Sequence, residues 1–214
     1  MSVPTRNLSM ESNLKDFIRV YDDVLDSNLC KNAIKSFEDN AEAHDRWENQ
    51  FKPQFTQLNV TLLAEKENNK EWGVIQNQLI TTIQTVSEYY MKDTACSPFW
   101  PPKNSIEQIR MKKYAVDTED RFDIHIDVGD YATARRFLVM FFYLNTVEEG
   151  GETTFPNLEM KIKPKQGSVL CFPPLWMYPH LGEQPISNDK YIIGTYLHYQ
   201  YCLLYTSPSP RDRG

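Results

Sequence analysis

At Ser105 the apolar pattern of this chain changes its period, and no other feature limits the available folds as strongly. Before that point Leu29, Ala33, Ile34, Phe37 and Ala41 recur at helical spacing behind Asp26 or Ser27 as an N-cap. Trp72, Ile75, Leu79, Ile83, Val86 and Tyr90 then step by three or four. Both stripes predict helices with one buried face. After it, short apolar runs follow at 105–115, 122–128, 136–144, 158–163, 167–172 and 190–200. Gly150-Gly151, Pro156, Pro164, Gly167, Pro173-Pro174 and Pro185 punctuate them. FIRVY at 17–21 adds one more strand-like alternation near the start. Helices followed by many short strands predict an α+β fold whose β part is a sandwich or barrel.

Composition narrows the class. With 214 residues, 41% hydrophobic and 13% aromatic, the chain suits one globular domain. We expect that domain over 14–201, a disordered N-terminal segment over 1–13, and a tail over 202–214. The tail, CLLYTSPSPRDRG, is low-complexity and basic, lacks a packing pattern and resembles a cloning scar. A net charge of -6, with no basic cluster beyond KIKPK at 161–165, argues against a nucleic-acid partner. Cys30, Cys96, Cys171 and Cys202 are scattered and form no Cys-x-x-Cys pair, so they read as reduced thiols of a cytoplasmic protein. No apolar run is long enough to span a bilayer, so no membrane partner is expected. Nothing in the sequence indicates an oligomeric state.

One stretch carries chemistry. Residues 121–130 read RFDIHIDVGD, and in a strand His125 and Asp127 share a face while Ile124, Ile126 and Val128 form an apolar opposite face. Taken alone, a His-x-Asp is most simply the wet side of a half-buried strand. His180, in MYPHLGEQP, changes the reading. Two histidines and one carboxylate leave coordination positions open, which is the facial triad of non-haem Fe(II) oxygenases. A zinc hydrolase could use the same three ligands, but no general base stands at a suitable motif.

The order H-x-D, YLN, GGET-F, KP-x-x-G, H-x-G and K-Y, spread over residues 15–200, resembles the prolyl 4-hydroxylase-like branch of the Fe(II)/2-oxoglutarate-dependent dioxygenases. The resemblance implies a double-stranded β-helix (jelly roll) core with N-terminal flanking helices. It implies His125, Asp127 and His180 as metal ligands, Lys190 and Tyr143 as partners of the distal carboxylate of 2-oxoglutarate, and Tyr114 as a wall of that pocket. Arg136 matches a basic position near the substrate entrance. Tyr196 departs from the family, where many relatives carry tryptophan. The implied activity is hydroxylation of a prolyl residue in a protein or peptide. Fe(II), 2-oxoglutarate and dioxygen are consumed or used, ascorbate serves as reductant, and succinate and carbon dioxide are released. The same chemistry on a free amino acid or a non-prolyl side chain remains open, as does a non-catalytic jelly-roll metal-binding module. Loops 117–123 and 43–58 are expected to act as lids.

Overall fold

Every strand pair among the described residues is antiparallel, Arg19 with Cys171 and Thr153 with Ile162 included. The computed structural model describes residues 13–48, 53–66 and 69–200. The expectations for 1–13 and 202–214 lie outside the described residues except at Asn13, which is ordered and accepts from the Lys15 N–H. In chain order the elements are β1 (Arg19–Tyr21), α1 (Ser27–Asp39), β2 (Asp45–Glu48), β3 (Gln54–Asn59), α2 (Val60–Lys66) and α3 (Lys70–Asp93). The strands β4 (Asn104–Ile106), β5 (Arg110–Tyr114), β6 (Phe122–His125), β7 (Arg136–Tyr143) and β8 (Thr153–Phe155) follow. The chain continues with β9 (Met160–Ile162), β10 (Val169–Phe172), β11 (His180–Gly182) and β12 (Lys190–Tyr199).

Both helical stripes form, except that α1 ends at Asp39, so Ala41 of the first stripe falls in the following turn and is exposed. The Asp26 carboxylate accepts from the Asn28 N–H at 2.8 Å and caps α1, and Asn69 caps α3 by accepting from Glu71 and Trp72. Along α3 the buried residues Trp72, Ile75, Leu79, Ile83, Val86 and Tyr90 are the expected stripe.

The larger sheet runs β1-β10-β7-β12-β5-β3-β2, with β4 also on β12, and the smaller runs β6-β11-β8-β9. Two facing antiparallel sheets make the double-stranded β-helix. Strand β7 shows why one sheet is buried twice. Leu138, Met140 and Phe142 meet the helical core that includes Phe37, Trp72 and Leu79. Val139, Phe141 and Tyr143 enter the core between the sheets with Phe155, Phe172 and Tyr178. A strand covered on both faces reads as a continuous apolar run, which RFLVMFFY does.

Three details differ from the sequence reading. The segment 43–58, expected as a lid, supplies β2 and β3, and β3 joins the larger sheet beside β5. Polar Gln and Thr positions mask its alternation, although Phe55, Gln57 and Leu58 are all buried. Loop 117–123 is pinned: the fully buried Asp120 accepts from Arg46 at 2.6 and 2.9 Å and from the Ala115 N–H at 3.0 Å. The predicted strand 122–128 ends at His125, and Ile124 is 61% exposed. Its apolar face therefore looks outward, because the helices cover only the larger sheet and the histidine face turns inward.

Candidate active site

Strand register brings the two histidines together. His180 of β11 lies directly opposite His125 of β6, and their ring centroids are 4.3 Å apart. Asp127 sits just beyond the end of β6, its Oδ2 3.5 Å from His180 Nε2 and its Oδ1 3.9 Å from His125 Nε2. One ligand atom from each of the three falls within 4.8 Å of the others. No other metal-competent cluster occurs among the described residues.

The ring orientations follow from local backbone. His125 Nδ1 donates to the Asp123 carbonyl at 2.8 Å and His180 Nδ1 to the Tyr178 carbonyl at 3.1 Å. A carbonyl can only accept, so each Nδ1 carries the proton and each Nε2 presents its lone pair to the centre. Burial lowers the imidazolium of His125 to about 4, with His180 adding to the effect, and burial also lowers that of His180. Both rings are thus neutral near pH 7, the form that ligates a metal.

A metal fits what this arrangement leaves unsatisfied. His180 Nε2 and Asp127 Oδ2 are buried acceptors with no hydrogen-bond partner among the described residues, and they face each other. Two opposed acceptors are costly to bury unless a cation or a proton lies between them. Imidazole and carboxylate donors suit Fe(II) and leave its remaining positions free. The far side is dry, since Phe141, Phe155 and Phe172 surround the His180 ring.

Behind Asp127 stands a second layer that the sequence reading did not assign. Tyr196 donates from its hydroxyl to Asp127 Oδ1 at 2.7 Å. Arg136 donates to the Asp127 carbonyl at 3.0 Å and lies 3.8 Å over the Tyr196 ring. Glu107 holds that guanidinium through two bonds of 2.6 and 2.8 Å. Arg136 does line the outer cleft, of about 280 Å³, yet its charge is already paired.

The residues expected to hold the cosubstrate also converge. Lys190 opens β12 opposite Tyr114 of β5 and is 2% exposed. Its Nζ lies 5.4 Å from the centre of the Tyr114 ring and 5.7 Å from that of Tyr143. The Tyr143 hydroxyl shares a 2.8 Å hydrogen bond with Thr153, another residue the sequence reading missed. Burial lowers the Lys190 ammonium to about 7, against the pull of Glu152 and Glu183. Lys190, Tyr114, Thr153 and the triad line one inner cleft. The overlooked members were legible in principle: Tyr196 shares the Lys190 face of β12, and Lys112 shares the Tyr114 face of β5.

Comparison with known proteins agrees with this geometry. The family model described as the 2OG-Fe(II) oxygenase superfamily matches residues 109–198, which contain the triad, Lys190, Tyr143 and Tyr114. A protein named "Putative prolyl 4-hydroxylase", from Acanthamoeba polyphaga mimivirus, is 28% identical over 120 residues, which is 47% of this chain and 48% of that protein. The chain therefore spans about half the length of the curated relative it matches. Among solved structures, the viral collagen prolyl hydroxylase of Paramecium Bursaria Chlorella virus-1, as its 2OG complex, superposes with a TM-score of 0.62 at 20% identity, covering 86% of this chain and 97% of that one. A prolyl hydroxylase from Trichoplax adhaerens, in complex with a hypoxia inducible factor oxygen degradation domain peptide fragment, gives 0.63 at 13% identity over 86% and 84% of the two chains. Over 109–198 this chain is thus similar to the 2OG-Fe(II) oxygenase superfamily, and its fold is that of the prolyl hydroxylases it superposes on.

Proposed function

We propose that the protein is an Fe(II)- and 2-oxoglutarate-dependent dioxygenase that hydroxylates a prolyl residue in a protein or peptide. The observation that carries this reading is the shared cleft: a preformed His125–Asp127–His180 triad at one end and the buried cation Lys190 at the other. His125, Asp127 and His180 would hold the metal, which when bound supplies dioxygen activation coupled to decarboxylation of 2-oxoglutarate. Lys190 receives the distal carboxylate of the cosubstrate and regains a counter-ion, while the Tyr143 hydroxyl and Thr153 fix that end in place. Tyr114 closes the wall beside Lys190. The phenyl rings around His180 exclude water from the buried side, and Tyr196 and Arg136 orient Asp127.

The prolyl assignment is supported by the relatives, which are named as prolyl hydroxylases, and by an outer cleft of about 280 Å³ that shares Lys112, Phe122, Phe141 and Tyr196 with the inner one. Proline lacks a backbone N–H, so such a segment resists pairing with a strand edge and enters as a polyproline-like loop. Ascorbate as the reductant and a cytoplasmic setting belong to the same reading, the latter supported by unpaired Cys30, Cys96 and Cys171. A zinc hydrolase built on the same triad would have no use for Lys190.

The test is succinate release from 2-oxoglutarate with Fe(II) against Zn(II), run with a proline-containing peptide library, free proline and other amino acids. We expect succinate with Fe(II) only, and a mass gain of one oxygen on a prolyl peptide. Absence of Fe(II)-dependent succinate would remove the oxygenase reading. Turnover on a free amino acid or a non-prolyl side chain, with none on any prolyl peptide, would remove the substrate assignment alone.

A further inference from the structure

Lys190 is not the only lysine in the site. Arg110, Lys112 and Tyr114 alternate along β5 onto one face, and Lys112 lines both the inner cleft with the triad and the outer cleft with Arg136. Its ammonium lies 4.6 Å over the Phe55 ring and 5.8 Å from the centre of Phe122, so aromatic walls hold it in the passage between the two clefts. Among the described residues Lys112 has no hydrogen bond or ion pair. The acids within reach are committed elsewhere, Asp127 to Tyr196 and the metal site, Glu107 to Arg136. Burial lowers the Lys112 ammonium to about 8, with Asp127 opposing and Arg110 and Arg136 adding.

The aromatic contacts offset only part of the cost of an unpaired, partly desolvated cation, and methionine would fill the same space without that cost. The neighbours deepen the imbalance. Among the described residues the Arg110 guanidinium donates only to the neutral Gln108, at 3.3 Å. Among the described residues the outer cleft therefore presents Arg110, Lys112 and Arg136 against the single acid Glu107, in a chain whose net charge is -6. A cleft of the opposite sign to the rest of the molecule selects for anions.

We infer that Lys112, supported by Arg110, is a specificity-determining residue that binds a carboxylate of the substrate next to the carbon presented to the triad. The inference rests on the oxygenase reading in one respect: the cosubstrate occupies Lys190 and the metal, leaving Lys112 for the second reactant. The carboxylate has two possible sources, an acidic side chain flanking the target residue in a peptide or the α-carboxylate of a free amino acid, and the shared chemistry is what Lys112 recognises.

The experiment measures binding without turnover, by calorimetry on anaerobic full-length protein saturated with Fe(II) and 2-oxoglutarate. The probes are matched acid and amide pairs: capped proline tripeptides flanked by Glu or Gln and by Asp or Asn, and free L-proline against L-prolinamide. We expect the acid of at least one pair to bind at least about tenfold tighter than its amide. Lys112→Met should bring that ratio to within about twofold, and Lys112→Glu should reverse it in favour of a Lys-flanked peptide. A preference confined to the tripeptides assigns the acidic side chain, and one confined to proline assigns the α-carboxylate. Wild-type ratios within twofold, a ratio unmoved by Lys112→Met, or no binding by any probe would overturn the inference. So would a Lys112→Met variant that loses affinity for 2-oxoglutarate instead. Failure of the oxygenase reading is separate, since it shows as absent Fe(II)-dependent succinate whatever the probes do.

Discussion

Tyr196 and Asp127 meet through a 2.7 Å hydrogen bond from the tyrosine hydroxyl to Oδ1, the carboxylate oxygen turned away from His180. With one oxygen held, the other is aimed at the centre of the triad. The Tyr196 phenol is pushed well above its ordinary value, chiefly by burial and then by Asp127, so it stays a donor at any working pH. Removing an outer-layer partner of a metal ligand typically costs about 10–100-fold in metal affinity. Tyr196→Phe should therefore weaken Fe(II) or Mn(II) binding by roughly that factor while the melting temperature of the metal-free protein and the affinity for 2-oxoglutarate change little. Metal titration checks it, and an affinity within twofold of wild type would show that Asp127 needs no such support.

Metal binding should register as stability. A ligand that binds only the folded state at about 100 times its dissociation constant stabilises by about 2.7 kcal/mol. For a domain of this size that is about 5–10 °C in melting temperature. Asp127→Ala and His180→Ala should each lose this metal-dependent shift. A full shift in either variant would move that residue out of the ligand set.

Lys190→Met should raise the dissociation constant of 2-oxoglutarate roughly a hundredfold or more, since breaking one side of a buried ion pair costs about 3–5 kcal/mol. Metal binding should survive. An effect within twofold would place the anchor elsewhere.

The same variant makes a pH prediction in metal-free, cosubstrate-free protein. The Lys190 ammonium is lowered to about 7 in the fold, against about 10.4 in an unfolded chain. The unfolded chain therefore holds more protons between those values, and the cost of keeping Lys190 charged is full below about pH 7 and fades toward about pH 10. Lys190→Met should melt higher than wild type near pH 6, with the gap closing as pH rises through that window. A gap that stays constant or widens with pH would contradict the buried, unpaired ammonium.

Asp120 ties loop 117–123 to the β2–β3 hairpin through Arg46, with the carboxylate 1% and the guanidinium 36% exposed. Losing charge-assisted hydrogen bonds of this kind costs roughly 2–3 kcal/mol. Asp120→Ala should lower the melting temperature by about 4–12 °C, read by calorimetry. A drop under about 2 °C would show the loop to be held by other contacts.

The sequence by itself determined what depends on near neighbours. Helices α1 and α3 follow from Asp26, Asn69 and two apolar stripes, because caps and a 3.6-residue period act within a few turns. The apolar run 136–144 marked a strand for the same reason, while its burial on both faces came from the packing around β7. The triad, Lys190, Tyr143 and Tyr114 were legible because motif order survives in the linear chain. Only the tertiary structure decided which face of β6 turns inward, since period two distinguishes two faces but not the one that will be covered. Ile124 lies outside because, among the described residues, α1, α2 and α3 contribute to the core on the larger sheet and not to the cluster between the sheets. Tertiary structure alone also set the partners of the site residues. Tyr196 reaches Asp127 across a separation of 69 residues, and Arg136 is claimed by Glu107 from a separation of 29. Among the described residues Lys112 is left without an acid by the register that pairs it with Ile192 and Gln57. Such partnerships arise from strand order and register, which are settled by the energy of the whole sheet and leave no mark on the residues beside them in sequence.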